Sequence, residues 1–310
     1  MAEPNKESVL TNNSSSAGKA RQKNLTAQKI VFYVTLYAVL VLFAVVEIFP
    51  FVWMIFTSFK SAREVVQNTG FYLFPKDFSV EAYYGKTLYS LFDLVPFWRG
   101  LLNTLITESS FFFVGIFADI LAAYGFAQVR FRFRNGFLLF ILCATMIPFV
   151  VTLMPQYAMF SFLGLTGTMW PLLIPHFFGT VGVIFYLERY MHSLPRDIFE
   201  AGAIDGLSHI GRVFFLAIPM AVPALVVQCV FTFLGIWNDV LAPDIYLTRL
   251  EDKTLQVMMQ YLSVSAGSTR ISLLPVLMAG ATLSSLPILI LYLSCQNLFV
   301  NSMATAGIKG

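Results

Sequence analysis

A chain of 310 residues that is 57% hydrophobic and only 12% charged is too apolar for a water-soluble domain, where charged residues approach roughly a quarter. Its 20 Lys/Arg against 17 Asp/Glu leave a net charge of +3, far from the clustered basic excess that a nucleic-acid surface requires. Cys143, Cys229 and Cys295 lie in apolar runs and His176, His192 and His209 are scattered, so the composition offers no disulfide framework, metal site or cofactor site.

In chain order, residues 1–29 are polar, with a low-complexity patch from Asn12 to Ser16 followed by Lys19, Arg21, Lys23 and Lys29. A segment this poor in apolar side chains predicts a disordered tail. The run that follows, 30–56, is too long for a signal-peptide core. A bilayer core of about 30 Å needs about 20 helical residues, and five further runs qualify: 101–128, 137–160, 168–187, 213–236 and 273–298. The fold class expected is an all-α membrane protein with about six transmembrane helices, its membrane domain covering 30–310.

Charge sets the orientation. The amino tail, the turn at Arg130, Arg132 and Arg134, the segment 188–212 between the fourth and fifth runs and the carboxyl tail hold twelve Lys/Arg against six Asp/Glu, whereas the loops 57–100 and 237–272 hold eight of each. Positive charge is retained inside, so both termini, the turn and the island are expected in the cytoplasm. In the outer loop 57–100, Gly85-Lys86-Thr87 has Val80 where a phosphate loop requires glycine. The chain is therefore expected to bring no ATPase of its own.

The island, 190–212, reads as helix–turn–helix. Pro195 suits a first helical position and Asp197 favours a helix start. Ala201, Gly202 and Asp205 follow Ile198 at the spacing of one face, leaving it nearly bare, so a partner backbone can come close. Gly206 can take the left-handed conformation that ends a helix and Ser208 can cap the next. These features suit a docking element, and equally an amphipathic surface loop with Arg196 and Glu200 as an i, i+4 pair.

Glu200, Ala201 and Gly206, with Leu216, Ile218 and Pro219, resemble the signature of ABC importer permeases, and EAGAIDG is most similar to the branch of maltose-type second permease subunits. From about Ala122 the resemblance is nearly continuous, through AAYGFAQVRFRFRNG, MIPFVVTLMPQY, Trp237-Asn238-Asp239 and the terminal GIKG. It implies a type I ABC importer permease fold in a bacterial inner membrane, with 190–212 as a cytoplasmic coupling loop. Glu200, Ala201, Gly202, Asp205 and Gly206, and Lys309 and Gly310 in the tail, would then contact the ATPase. Gly202 departs from the family's usual alanine, which predicts a looser helix. The partners implied are a second homologous permease subunit, a dimer of ATP-binding subunits, an extracytoplasmic solute-binding protein and the lipid bilayer.

Three observations bear on a substrate path. Pro148, Pro155, Pro171, Pro175, Pro219, Pro223, Pro275 and Pro287 fall in or beside four successive spans; their clustering predicts bent helices around a polar cavity, although proline is in any case commoner in membrane helices. Gln228, Trp237, Asn238 and Asp239 offer the amides, carboxylate and aromatic face that suit a sugar, with Trp237 alternatively an interfacial anchor. Glu47, Glu108 and Asp119 lie within spans at a cost of at least ~2.5 kcal/mol each and read either as structural contacts with a partner permease or as groups in a path. In the family that the chain resembles, a loop at 243–270 reaches the solute-binding protein; Gln260, Tyr261 and the small polar residues Ser265 to Thr269 suit that role and equally any flexible surface loop. The chain thus reads as a permease subunit of an ATP-driven sugar importer. Glycerol 3-phosphate remains a possible cargo, and a proton-coupled carrier using the three carboxylates is the rival.

Overall fold

Backbone polar groups have no water partner in hydrocarbon and are satisfied there within helices. The computed structural model accordingly contains helices and no strand among the described residues. These are residues 6–67, 70–84, 90–269 and 273–307, with side chains described over 29–67, 70–84, 90–265 and 273–296. Lys309, Gly310 and the Gly85-Lys86-Thr87 tripeptide lie outside them.

The chain divides into two units, Met1–Phe56 and Thr57–Gly310. The first is a single helix, part of Lys6–Ser58, whose apolar portion Lys29–Ser58 has a mean hydropathy of 2.6. This helix starts inside the polar segment for which composition predicts no order. No proline lies between Lys6 and Lys29, and extending an existing helix costs far less than nucleating one.

In the second unit four helical runs are long and apolar enough to span: Phe97–Gln128, Trp170–His192, His209–Trp237 and Leu274–Gln296. They fall on the expected segments. The run expected to be continuous over 137–160 is instead two helices, Arg134–Thr145 and Phe149–Phe162, meeting at 93°. Pro148 explains the break: it stands extended at φ −57°, ψ 136° and disfavours helical geometry at Ile147 before it. The other prolines do less. Pro155, Pro175, Pro223 and Pro287 continue their helices, and Pro171 and Pro219 occupy the first positions of theirs, where the missing N–H is not needed.

Three packed regions hold this unit, one of them gathering Leu153, Phe160, Leu172 and Tyr246. Ile120, Ala123, Tyr124 and Ala127 of the second span cluster with Val183, Leu187 and Met191 of the fourth and Ala217 and Ala221 of the fifth. Small residues let membrane helices approach closely where no hydrophobic gain separates protein from lipid. On the other side Leu255, Met258, Met259 and Leu262 pack with Phe233, Trp237 and Ala279. Those four residues are one face of a helix, Leu255–Thr269, in a segment whose small polar residues predict a flexible loop. Its i, i+3, i+4, i+7 apolar spacing is the reason for the helix. Asn103 and Thr104 tie this region to the second span: Asn103 Nδ2 donates to the Asp252 carbonyl at 2.9 Å, and the Leu255 N–H donates to Thr104 Oγ1 at 2.9 Å.

Candidate functional site: a surface foot and a cavity between spans

The island folds as the helix Arg196–Ile204, a tight turn and the short helix His209–Arg212. The turn is a Schellman closure: the Gly206 N–H donates to the Ala203 carbonyl at 3.1 Å and the Leu207 N–H to the Gly202 carbonyl at 2.9 Å. Gly206 stands at φ +85°, a conformation that costs an L-residue roughly 1–2 kcal/mol. Ser208 Oγ then accepts from the Gly211 N–H at 3.1 Å, capping the second helix.

Phe199 and Gly202 are buried, whereas Glu200, Ala201, Asp205 and Gly206 are exposed. Gly202 thus turns inward, away from the outer surface on which the sequence pattern groups it with Ala201 and Asp205. A Cβ there would stand 2.7 Å from Leu216 Cδ1 and 3.4 Å from Leu207 Cδ1. The departure from alanine is therefore matched to close packing of the foot on the start of the fifth span. Outward, Ile204 is 87% exposed and Ile210 65%. These bare apolar tips beside Glu200 and Asp205 make a convex surface anchored from below.

A cavity of about 620 Å³ lies between the second to fifth spans and the segment that follows the fifth, with Thr107, Gln156, His176, Asp239 and Tyr246 among its lining residues. Of the four expected path residues, only Asp239 lines it. Trp237 is 1% exposed and stacks on Phe233 at 5.2 Å between ring centroids, so it is a core residue. Asn238 donates to the Leu234 carbonyl at 2.8 Å and closes the helix end. Gln228 is half-buried and sits about 10 Å along the helix from the cavity-lining Gly235, on the same face. Asp239 Oδ1 accepts from the Leu241 N–H at 3.0 Å and the Ala242 N–H at 3.4 Å. Burial pushes its carboxyl above the ordinary range, and those two backbone bonds pull partly against that. Gln156, His176 and Tyr246 were not singled out by sequence reasoning, because each is one polar residue in an apolar run and only the fold brings them together.

Asp119 has a defined task within this chain. The fourth span is interrupted between Phe177 and Val181, with Gly179 at φ +84°. Asp119 Oδ1 accepts from the Thr180 N–H at 2.6 Å, so a side chain from the second span caps the restarted helix. Such a carboxylate supplies the partner that a broken membrane helix lacks. Glu108 is 3% exposed, and neither carboxyl oxygen has a hydrogen-bond partner among the described residues. No group of three or more His, Cys, Asp or Glu able to hold a metal occurs among the described residues.

An all-helical protein with five or six spanning runs, an interior cavity and an anchored helix–turn–helix foot is a membrane transport component of the ABC permease class. The chain belongs to the family of binding-protein-dependent transport system inner membrane components, whose model matches residues 112–305. It is 27% identical over 286 residues to the inner membrane ABC transporter permease protein YcjP of Escherichia coli, covering 92% of this chain and 99% of that protein. It is also 27% identical over 288 residues to the maltodextrin transport system permease protein MdxG of Bacillus subtilis, covering 93% and 100%. A bacterial ABC transporter involved in alginate import shares the fold, with a TM-score of 0.69 at 24% identity over 87% of this chain and 96% of that one.

Proposed function

We propose that the chain is one of two permease subunits of an ATP-driven importer that moves a sugar or oligosaccharide delivered by an extracytoplasmic binding protein. A separate pair of ATP-binding subunits supplies hydrolysis, and the chain performs no chemistry. Both termini and the foot face the cytoplasm, as the Lys/Arg distribution favours. The observation that carries this reading is the foot: a closed turn with Glu200, Ile204, Asp205 and Gly206 outward and Phe199 and Gly202 locked into the span core. A rigid connection of this kind passes displacement of a docked partner to the fifth span, and ATP-driven closure of the ATPase pair turns the spans between inward- and outward-open arrangements. The tail residues Lys309 and Gly310 are assigned to the same partner on the family resemblance.

The cargo reading follows the cavity. It contains Gln156, Asp239 and Tyr246, which suit hydroxyl-rich ligands, and among the described residues no Lys or Arg lines it. That lining favours a neutral sugar over glycerol 3-phosphate, whose phosphate calls for basic partners. The names of relatives such as the maltodextrin permease support a carbohydrate. The test is uptake by the complete importer in proteoliposomes. Substituting Glu200→Ala together with Gly206→Ala is expected to abolish ATP-driven sugar uptake while the assembly still forms. Uptake unaffected by both changes would refute the role of the foot, and uptake abolished by an ionophore at constant ATP would move the chain to the proton-coupled class.

A further inference from the structure

Between the foot and the turn that joins the second and third spans lies a cleft of about 230 Å³ lined by Arg130, Arg134, Arg196 and Arg212, with Glu200 the one carboxylate among its lining residues. Among the described residues none of the four arginines has a carboxylate within 4.0 Å. Arg212 Nε is buried without a hydrogen-bond partner, while its Nη2 meets the His209 ring at 3.3 Å. Arg134 reaches the Ala127 carbonyl and Asn135 Oδ1 at 3.4 Å each, long contacts that leave most of its donors free. Cytoplasmic retention of positive charge accounts for arginines in this turn, but it does not account for four arginines lining one concavity with a single carboxylate, Glu200, and no ion pair among them. Their mutual repulsion calls for an anion, and the planar fork of arginine matches phosphate oxygens two at a time.

We infer that this cleft binds a phosphate-bearing anion, and that the ligand in the cell is the headgroup of an anionic phospholipid. Position selects the lipid. Arg130 and Arg134 sit where one spanning helix ends at Gln128 and the next begins at Arg134, which is headgroup level. A second, more open cavity of about 380 Å³ shares Arg130, Arg134 and Arg196 and adds Phe131 and Phe133. Phe133 is 67% exposed, giving the apolar part of a lipid a surface beside the site for its phosphate. Basic pockets at this depth bind anionic headgroups. Because Glu200 and Arg196 belong to the foot, an occupied cleft braces the docking helix against the membrane. The anion site stands on the cavity itself; only its assignment to the inner leaflet rests on the proposed orientation.

The test uses the purified full chain in phosphatidylcholine nanodiscs with and without phosphatidylglycerol, followed by native mass spectrometry of the lipid retained on extraction. The wild type is expected to keep phosphatidylglycerol. Arg130→Gln with Arg134→Gln is expected to weaken retention at least about tenfold. Arg132→Gln is expected to leave it unchanged, since it removes a neighbouring charge outside both cavities. The exposed Arg196→Gln, expected to weaken retention as well, is the fallback should the double variant fail to fold. Equal retention by the double variant and Arg132→Gln, or by Arg196→Gln and the wild type, would overturn the site. Release of the lipid by millimolar inorganic phosphate would overturn the lipid assignment in favour of a soluble ion. Neither ATPase nor sugar enters the measurement, so its failure is separate from failure of the transport reading.

Discussion

Two glycines share a backbone conformation and differ in what surrounds them, which separates strain from packing. Gly206 stands at φ +85° with nothing within 4 Å of a built Cβ, whereas Gly179 stands at φ +84° with that Cβ 2.7 Å from Asp119 Oδ1. Gly206→Ala therefore meets only the left-handed penalty, roughly 1–2 kcal/mol. Gly179→Ala meets the same penalty and must also displace a buried carboxyl, which adds about 1–3 kcal/mol for overpacking and weakens the bond from the Thr180 N–H. The combined cost is about 2–5 kcal/mol. Asparagine tolerates the left-handed region, so Gly206→Asn is expected to lose less than Gly206→Ala. Thermal unfolding of the purified chain in mild detergent, followed by tryptophan fluorescence, reads all three variants against the wild type. The predicted order of destabilisation is Gly206→Asn, Gly206→Ala, then Gly179→Ala, with the last exceeding the second by about 1–3 kcal/mol. A Gly206→Ala loss as large as that of Gly179→Ala, or Asn no better than Ala at 206, would refute the reasoning.

Three further outcomes follow from the same geometry. At Gly202, alanine gains about 1 kcal/mol of helix propensity against a clash with the movable end of Leu216 and is expected to be near neutral in unfolding measurements, whereas Gly202→Leu is expected to destabilise by more than 1 kcal/mol. Asp119→Ala orphans the Thr180 N–H and is expected to cost about 1–3 kcal/mol, while Asp119→Asn keeps an acceptor and loses less; a chemical-denaturation series compares them. Lys253 is 5% exposed. Burial alone lowers the pKa of its ammonium, but its bonds to Asp244 and to Tyr261 outweigh that and hold it above the ordinary 10.5. A raised folded-state value contributes stability that is fully present below 10.5 and is lost as pH rises through the raised value. The melting temperature should therefore fall more steeply above that pH in the wild type than in Lys253→Met.

The spans were legible in the sequence because their signal is length: runs of about 20 apolar residues have few other uses. The helical foot was legible for the same local reason, since Pro195, Gly206 and Ser208 each act within a turn of their own position. The break at Pro148 was present as a proline, but eight candidates carried the same signal and the sequence did not rank them. The helix Leu255–Thr269 was missed because the Ser/Gly tip outweighed a spacing, Leu255, Met258, Met259 and Leu262, that was available to be read. What could not be read is what long-range pairing decides. The bond from the Thr180 N–H to Asp119 joins residues 61 apart, and the arginine cleft gathers Arg130 and Arg134 with Arg196 and Arg212 from across two spans. Trp237 and Asp239, adjacent in a promising motif, face different surroundings because the helix ends between them.

The account stands most directly on which subunit meets the foot and from which side. A single cysteine placed at Ile204, 87% exposed, in a chain whose exposed Cys143 is replaced, reports both. The account predicts labelling by a membrane-impermeant thiol reagent only from the cytoplasmic side, and a crosslink to the ATP-binding subunit of the assembled importer. Labelling from outside intact cells would contradict it, as would a crosslink confined to other partners.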